Sequence, residues 1–134
     1  MTEQTPLSLN DAIKANNLDR VEELLEHGAD VHANDDEALR EACLNHYFEV
    51  ARLLLKYGAD VHVYDNEPLR IACQFQDLEV ARLLLEYGAD VHVRNDEPLR
   101  DACKFSCYEV ANLLLEYGAV HVYDDVPRGY YRGY

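Results

Sequence analysis

Residues 67–92 read EPLRIACQFQDLEVARLLLEYGADVH. Thirty residues earlier, 37–62 read EALREACLNHYFEVARLLLKYGADVH, and thirty residues later, 97–119 read EPLRDACKFSCYEVANLLLEYGA. Gly-Ala pairs at Gly28, Gly58, Gly88 and Gly118 carry the register through four copies. A fixed period of this length marks stacked supersecondary units, each too small to bury its own apolar face. Such stacks usually present a long surface to another molecule and seldom catalyse a reaction.

Within one copy, Pro68 suits the first position of a helix, where a missing N–H has no consequence, and Glu67 favours the positive helix end. Leu69, Ala72 and Cys73 then share one face at i, i+3, i+4 spacing. A polar break at Gln76 and Asp77 precedes a second helix with Leu78, Val80, Ala81 and Leu83–Leu85 apolar almost all round. Gly88 suits the left-handed position that ends this helix. Asp90 to Val93 alternates polar and apolar, predicting an extended hairpin arm. Helices of about ten residues are marginal alone in water, so neighbouring units must stabilise them.

This order of turn, Pro-Leu helix, LLL helix and GADV resembles the ankyrin repeat. The family's TPLH appears as EALR at Glu37–Arg40 and EPLR at Glu67–Arg70 and Glu97–Arg100, and its GADVN as GADVH in three copies. The resemblance runs from residue 8 to about 127 and implies an all-α repeat solenoid. Its four stacked helix-turn-helix units, within a domain of residues 1–127, are expected to carry short β-hairpin fingers. Thirty-residue GADVH units resemble the ankyrin arrays abundant in giant viruses.

Three departures from the family bear on structure. The period is shorter than the usual 33 or so, and the loss falls at the hairpin tip, which predicts blunt fingers. The Gly common between the two helices is replaced by His46, Gln76 and Ser106, which are strained if φ is positive there. Arg40, Arg70 and Arg100 stand where the family has His, three residues after a repeated Glu, a spacing that allows local ion pairs.

The ends differ from the middle. Ser8 and Asp11 resemble a capping box, and Arg20, Glu22 and Glu23 put charge where a first repeat has no neighbour. At the other end Leu113–Leu115 remain fully apolar, the Asp after Ala119 is missing, and a fifth unit begins at Val126-Pro127. The chain then closes with RGYYRGY at 128–134, whose Tyr130, Tyr131 and Tyr134 can cover an open apolar end. Disorder of this tail, or its use in a dimer or a partner contact, are the alternatives.

Acids outnumber bases 26 to 12, for a formal charge of −14. The tail holds two Arg and no acid, so residues 1–127 set ten bases against all 26 acids. Such a body repels phosphate backbones and disfavours direct nucleic-acid binding, while its field favours a basic protein partner. Neither a signal peptide nor a membrane-spanning run is visible. Cys43, Cys73 and Cys103 recur with the period as small core residues and point to reduced thiols in the cytoplasm, the host cytoplasm if the chain is viral. Cys107 lies outside that column. A monomer is expected, with the carboxy-terminal end as the place for a dimer.

His32, His62, His92 and His121 form a ladder that invites a metal reading. Stacked elements lie roughly 8–10 Å apart, far beyond a shared Zn–N bond of about 2.0–2.1 Å, so a structural role is expected. Acids at Asp35, Asp36, Glu37, Asp65, Glu67, Asp96 and Glu97 recur on wet turns, where helix-end charge and solubility explain them better than acid–base work. With no phosphate loop or nucleophile arrangement, no catalytic residue, cofactor or metal is expected.

Function is sought where the copies disagree. The turn column reads Asn34, Tyr64, Arg94, Tyr123; first-helix columns read Glu41, Ile71, Asp101, then Leu44, Gln74, Lys104, then Asn45, Phe75, Phe105. The resemblance implies that these positions line a concave groove that holds protein partners. Tyr64, Ile71, Gln74, Phe75, Arg94, Lys104, Phe105 and Tyr123 are the expected contacts, since aromatics and Arg dominate binding hot spots. A non-enzymatic adaptor or inhibitor follows. The competing reading is an acidic decoy that occupies the basic cleft of a nucleic-acid-binding protein or enzyme, and a third is a bare scaffold piece of a longer or consensus-built array.

Overall fold

The computed structural model describes residues 8–119, and all regular structure among them is helical. The helices are α1 Leu9–Lys14, α2 Leu18–Glu26, α3 Ala33–Leu44, α4 Phe48–Lys56, α5 Val63–Gln74, α6 Leu78–Glu86, α7 Val93–Lys104 and α8 Tyr108–Glu116. They fall into two compact halves, one ending at Asp60 and one beginning at Val61. In the first half α1 packs on α3 and α2 on α4; in the second, α5 packs on α7 and α6 on α8. Helices one period apart therefore lie side by side, and each half has two layers.

The apolar spacing places the core as expected. Leu39, Leu54, Leu69, Leu84, Leu99 and Leu114 are fully buried, as are Ala42, Ala72 and Ala102 beside them. Each buried Leu stabilises the fold by roughly 1.5–3 kcal/mol. Cys43, Cys73 and Cys103 are buried too, and desolvation, with a smaller contribution from Asp101, pushes the Cys73 thiol well above its ordinary value. A thiol held neutral in this way is inert. Ser8 and Asp11 form the expected capping box at the start of α1.

Both helices of a repeat end in left-handed residues. After α6 the Gly88 amide donates to Leu85 O and the Ala89 amide to Leu84 O, with Gly88 at φ 94°. These are the two bonds of a Schellman motif. The same pair closes α5, where the Gln76 amide donates to Cys73 O and the Asp77 amide to Ala72 O. Here the left-handed residue is not glycine: His46, Gln76 and Ser106 have φ of 62°, 61° and 58°. The turn keeps both bonds and carries the strain.

The hairpin fingers are where expectation and structure part. Among the described residues there is no strand. Three consecutive left-handed residues take their place: Asn34-Asp35-Asp36, Tyr64-Asp65-Asn66 and Arg94-Asn95-Asp96, all with φ between 50° and 59°. Right-handed helix begins only after them, which puts the buried Pro68 and Pro98 in the first turn, where proline is tolerated. A left-handed residue costs about 1–2 kcal/mol, less for Asn and Asp, and seven of these nine positions are Asn or Asp. A thirty-residue repeat has too few residues for a two-stranded arm, so the chain reverses in a single tight coil.

Two sets of bonds hold this coil. The repeated Arg reaches back to it: Arg70 donates from Nε to Asp65 O at 3.0 Å and from Nη2 to Tyr64 O at 2.7 Å. Arg40 bonds Asp35 O and Asn34 O in the same way, and Arg100 bonds Asn95 O and Arg94 O. These arginines, expected to pair locally with Glu, fork onto two successive carbonyls. Bonds from a charged donor contribute roughly 1.5–3 kcal/mol each, the scale needed to offset the left-handed run.

The third residue of the first two coils ties repeats together. Asp36 and Asn66, only 4% and 6% exposed, are the buried polar residues among those described. His32 Nδ1 lies 3.0 Å from Asp36 Oδ1, and Asp36 Oδ2 accepts from the Asp60 amide at 2.7 Å. In the next copy His62 Nδ1 donates to Asn66 Oδ1 at 3.2 Å, and that oxygen also accepts from the Asp90 amide at 2.9 Å. His92 and Asp96 meet at 3.1 Å. His32, His62 and His92 are thus props for Asx side chains, buried at Asp36 and Asn66 and part-buried at Asp96. No cluster of three or more His, Cys, Asp or Glu among the described residues is placed to hold a metal.

Lysine cannot fork, so Arg70→Lys should lower unfolding stability by about 1–3 kcal/mol. The exposed Arg82→Lys should shift it by less than about 0.5 kcal/mol. Urea unfolding of both variants checks this, and equal shifts would contradict the fork. The hydrogen bond to Asp36, helped by its charge, raises the His32 pKa above 6.5. Its contribution is therefore complete below that value and lost as pH rises through the higher folded-state value. The urea midpoint should fall between about pH 6 and about pH 8 more steeply in the wild type than in His32→Gln; parallel profiles would remove His32 from the account.

Candidate functional site

The described partner-contact candidates all lie on α5 and α7, which pack against each other in the second half. They separate into two groups. Tyr64 and Arg94 open the left-handed coils, at φ 50° and 54°. Gln74, Phe75, Lys104 and Phe105 sit at the opposite helix ends, with Phe75 and Phe105 as the terminal caps of α5 and α7. About ten residues separate the groups along the chain, with a left-handed coil at one end and a helix cap at the other.

At the coil end Tyr64 is 51% exposed. Arg94 extends toward the preceding coil, with Nη2 3.4 Å from Asp65 Oδ2, and Nη1 lies 3.7 Å from Glu97 Oε1. These exposed pairs are worth at most about 1 kcal/mol each. At the cap end Phe75 and Phe105 are 52% and 41% exposed. The Lys104 ammonium stands 5.7 Å from the Phe105 ring centre, and Gln76 donates to Phe105 O at 3.0 Å. The two Phe rings therefore belong to the surface on a braced backbone.

Ile71 does not join them. It is buried on α5, one turn before Phe75. Asp101, its counterpart on α7, has a carboxylate oxygen, Oδ2, that is buried without a hydrogen-bond partner. Desolvation, and then the neighbouring Glu97, raise the Asp101 pKa, while Arg100, Lys104 and Arg70 pull it the other way. The strip between the two groups is thus packed rather than presented. Tyr123, like the RGYYRGY tail and His121, lies outside the described residues.

Strain singles out the coil-end pair. Asn34 occupies the first coil position with the residue type that tolerates it, whereas Tyr64 and Arg94 hold the same conformation against their preference. Replacing them by Asn would relieve that strain.

Charge is unevenly spread in this half. In α5 and α7, Asp65, Glu67, Asp96, Glu97 and Asp101 are nearly matched by Arg70, Arg94, Arg100 and Lys104. In α6 and α8, Glu79, Glu86, Glu109 and Glu116 face only Arg82. Exposed Tyr87 and Tyr117 cap these second helices and recur with the period. The neighbouring column reads Glu26, Lys56, Glu86 and Glu116. In the first half, by contrast, a shallow cleft between α2 and α4 is lined by Leu18, Leu53 and the mixed charges Glu22, Glu49, Arg52 and Lys56.

No helix among the described residues is long and apolar enough to cross a membrane. A search among curated proteins returns no match. The family model described as ankyrin repeats (3 copies) matches residues 2–65 and again 64–125, together nearly the whole sequence. The repeat pattern, the paired helices and this match agree, and the chain belongs to the ankyrin-repeat family.

Proposed function

We propose that the chain is a non-enzymatic interaction module, an adaptor or inhibitor, that grips a folded partner protein along α5 and α7. Ankyrin repeats generally mediate protein–protein interactions, which supports the class. The observation that carries the specific reading is strained, exposed Tyr64 and Arg94 one repeat apart, with exposed Phe75 and Phe105 at the far helix ends. Rigid aromatics and Arg supply contact area with little rotamer entropy to lose, as hot spots require. Gln74 and Lys104 supply polar contacts beside them, and the buried Ile71 accepts the Phe75 amide at its carbonyl. Four thirty-residue units across residues 1–127, working in the cytoplasm, complete the proposal, with Tyr123 and the 128–134 tail as an extension of the same module.

The net charge of −14 favours a second reading, an acidic decoy lodged in the basic cleft of a nucleic-acid-binding protein or enzyme. Salt separates the two. Decoy binding weakens steeply between low and moderate ionic strength, whereas contacts centred on Tyr64 and Phe75 change little.

Tyr64→Asn should raise unfolding stability by about 0.5–1 kcal/mol through relief of the left-handed strain. The same change should weaken capture of a partner from native host lysate, and adding Phe75→Ala should weaken it further, about tenfold or more for the pair. Circular dichroism of both variants should match the wild type. A stabilised Tyr64→Asn that retains full capture would remove Tyr64 from the interface, and unfolding by Phe75→Ala would return Phe75 to the core.

A further inference from the structure

We infer that Asp101 anchors the α5–α7 surface as a carboxylate that receives an arginine side chain of the partner protein. The inference rests on the reading that this surface grips a protein, and it adds a residue that belongs to neither exposed group.

Residues four apart share one face of a helix. In α3 such a pair is matched, since Glu41 accepts from Asn45 Nδ2 at 3.0 Å. In α5 it is matched in another way, with buried Ile71 preceding the apolar Phe75. In α7 the same two positions hold Asp101 and Phe105, an acid and a ring that carries no N–H or O–H. The helix is regular there, because the Phe105 amide donates to the Asp101 carbonyl at 3.0 Å. Where Glu41 has the Asn45 amide, Asp101 Oδ2 is buried without a hydrogen-bond partner.

Three cations act on Asp101 without bonding that oxygen. Arg70 and Arg100 are forked onto coil carbonyls, and the Lys104 ammonium stands 5.7 Å from the Phe105 ring centre. Glu97, one turn earlier, adds a second negative charge. Asp101 as a whole is only part-buried, so its carboxylate remains within reach of another molecule. Its terminal torsion is broad and two-fold, so either oxygen can turn to meet a donor. A guanidinium fits this setting best. Its planar fork matches both carboxylate oxygens, its charge offsets Asp101 and Glu97, and its face stacks on an aromatic ring such as the exposed Phe105.

N-acetylarginine amide titrated into the full-length chain tests this, followed by NMR at the Asp101 carboxyl carbon and the Phe105 ring. Both signals should move together and saturate. Asp101→Asn should weaken binding at least about fivefold. Asp65→Asn, which removes the same charge from an exposed coil position, should change it less than about twofold. N-acetylcitrulline amide, of the same shape without the charge, should leave both signals in place. The urea midpoint of Asp101→Asn should not fall, because burial disfavours this charge in the fold. Unmoved signals, equal losses in the two variants or a lowered midpoint would overturn the assignment. Capture by Tyr64→Asn with Phe75→Ala tests the α5–α7 grip separately. If capture weakens while arginine leaves Asp101 unmoved, the grip stands and the anchor falls.

Discussion

A buried Asx side chain that accepts the backbone amide of the next repeat is the contact on which the rest depends. Asp36 binds the Asp60 amide and Asn66 the Asp90 amide, each propped by the histidine four residues before it. A buried polar group left unsatisfied costs about 1–3 kcal/mol, so this oxygen and its amide fix the register of one repeat on the next. Reaching that amide requires the Asx to sit at the end of a tight reversal, and the reversal is left-handed. The arginine fork then keeps the reversal from unwinding. His, Asx, Arg and the GAD turn form one assembly, repeated with the period.

The assembly also explains why a shortened repeat still stacks. With too few residues for a two-stranded finger, an ordinary array would lose the hydrogen bonds that its hairpins provide. Here the backbone is satisfied by side chains: a guanidinium covers two carbonyls and an Asx oxygen covers an amide. The leucines supply most of the stabilisation but little directional information, since apolar burial is non-directional. The polar assembly supplies the alignment.

Much of this was legible beforehand. Leu69, Ala72, Cys73, Leu84 and the helix stop at Gly88 follow from apolar spacing and glycine's tolerance of positive φ. The left-handed coils were not legible, because periodicity reports which side chains are buried and carries no sign of φ. Asn-Asp-Asp and its counterparts read equally well as an acidic loop. The constant Arg40, Arg70 and Arg100 were the available clue, since a side chain bound to backbone is indifferent to its neighbours' identities. Among the contact candidates Tyr64, Phe75 and Phe105 are exposed, whereas Ile71 is buried. A column that changes from Glu to Ile to Asp varies at a packed position as well as at a solvated one, and variability alone does not distinguish them.

Native-state hydrogen exchange at the Asp60 and Asp90 amides tests the central contact most directly. Both lie in turns, where exchange is ordinarily fast, yet both should be protected to nearly the extent of the core helices. In Asn66→Ala, Asp90 should lose that protection by at least about tenfold while Asp60 keeps it. Fast exchange at both amides in the wild type, or unchanged protection of Asp90 in the variant, would contradict the account.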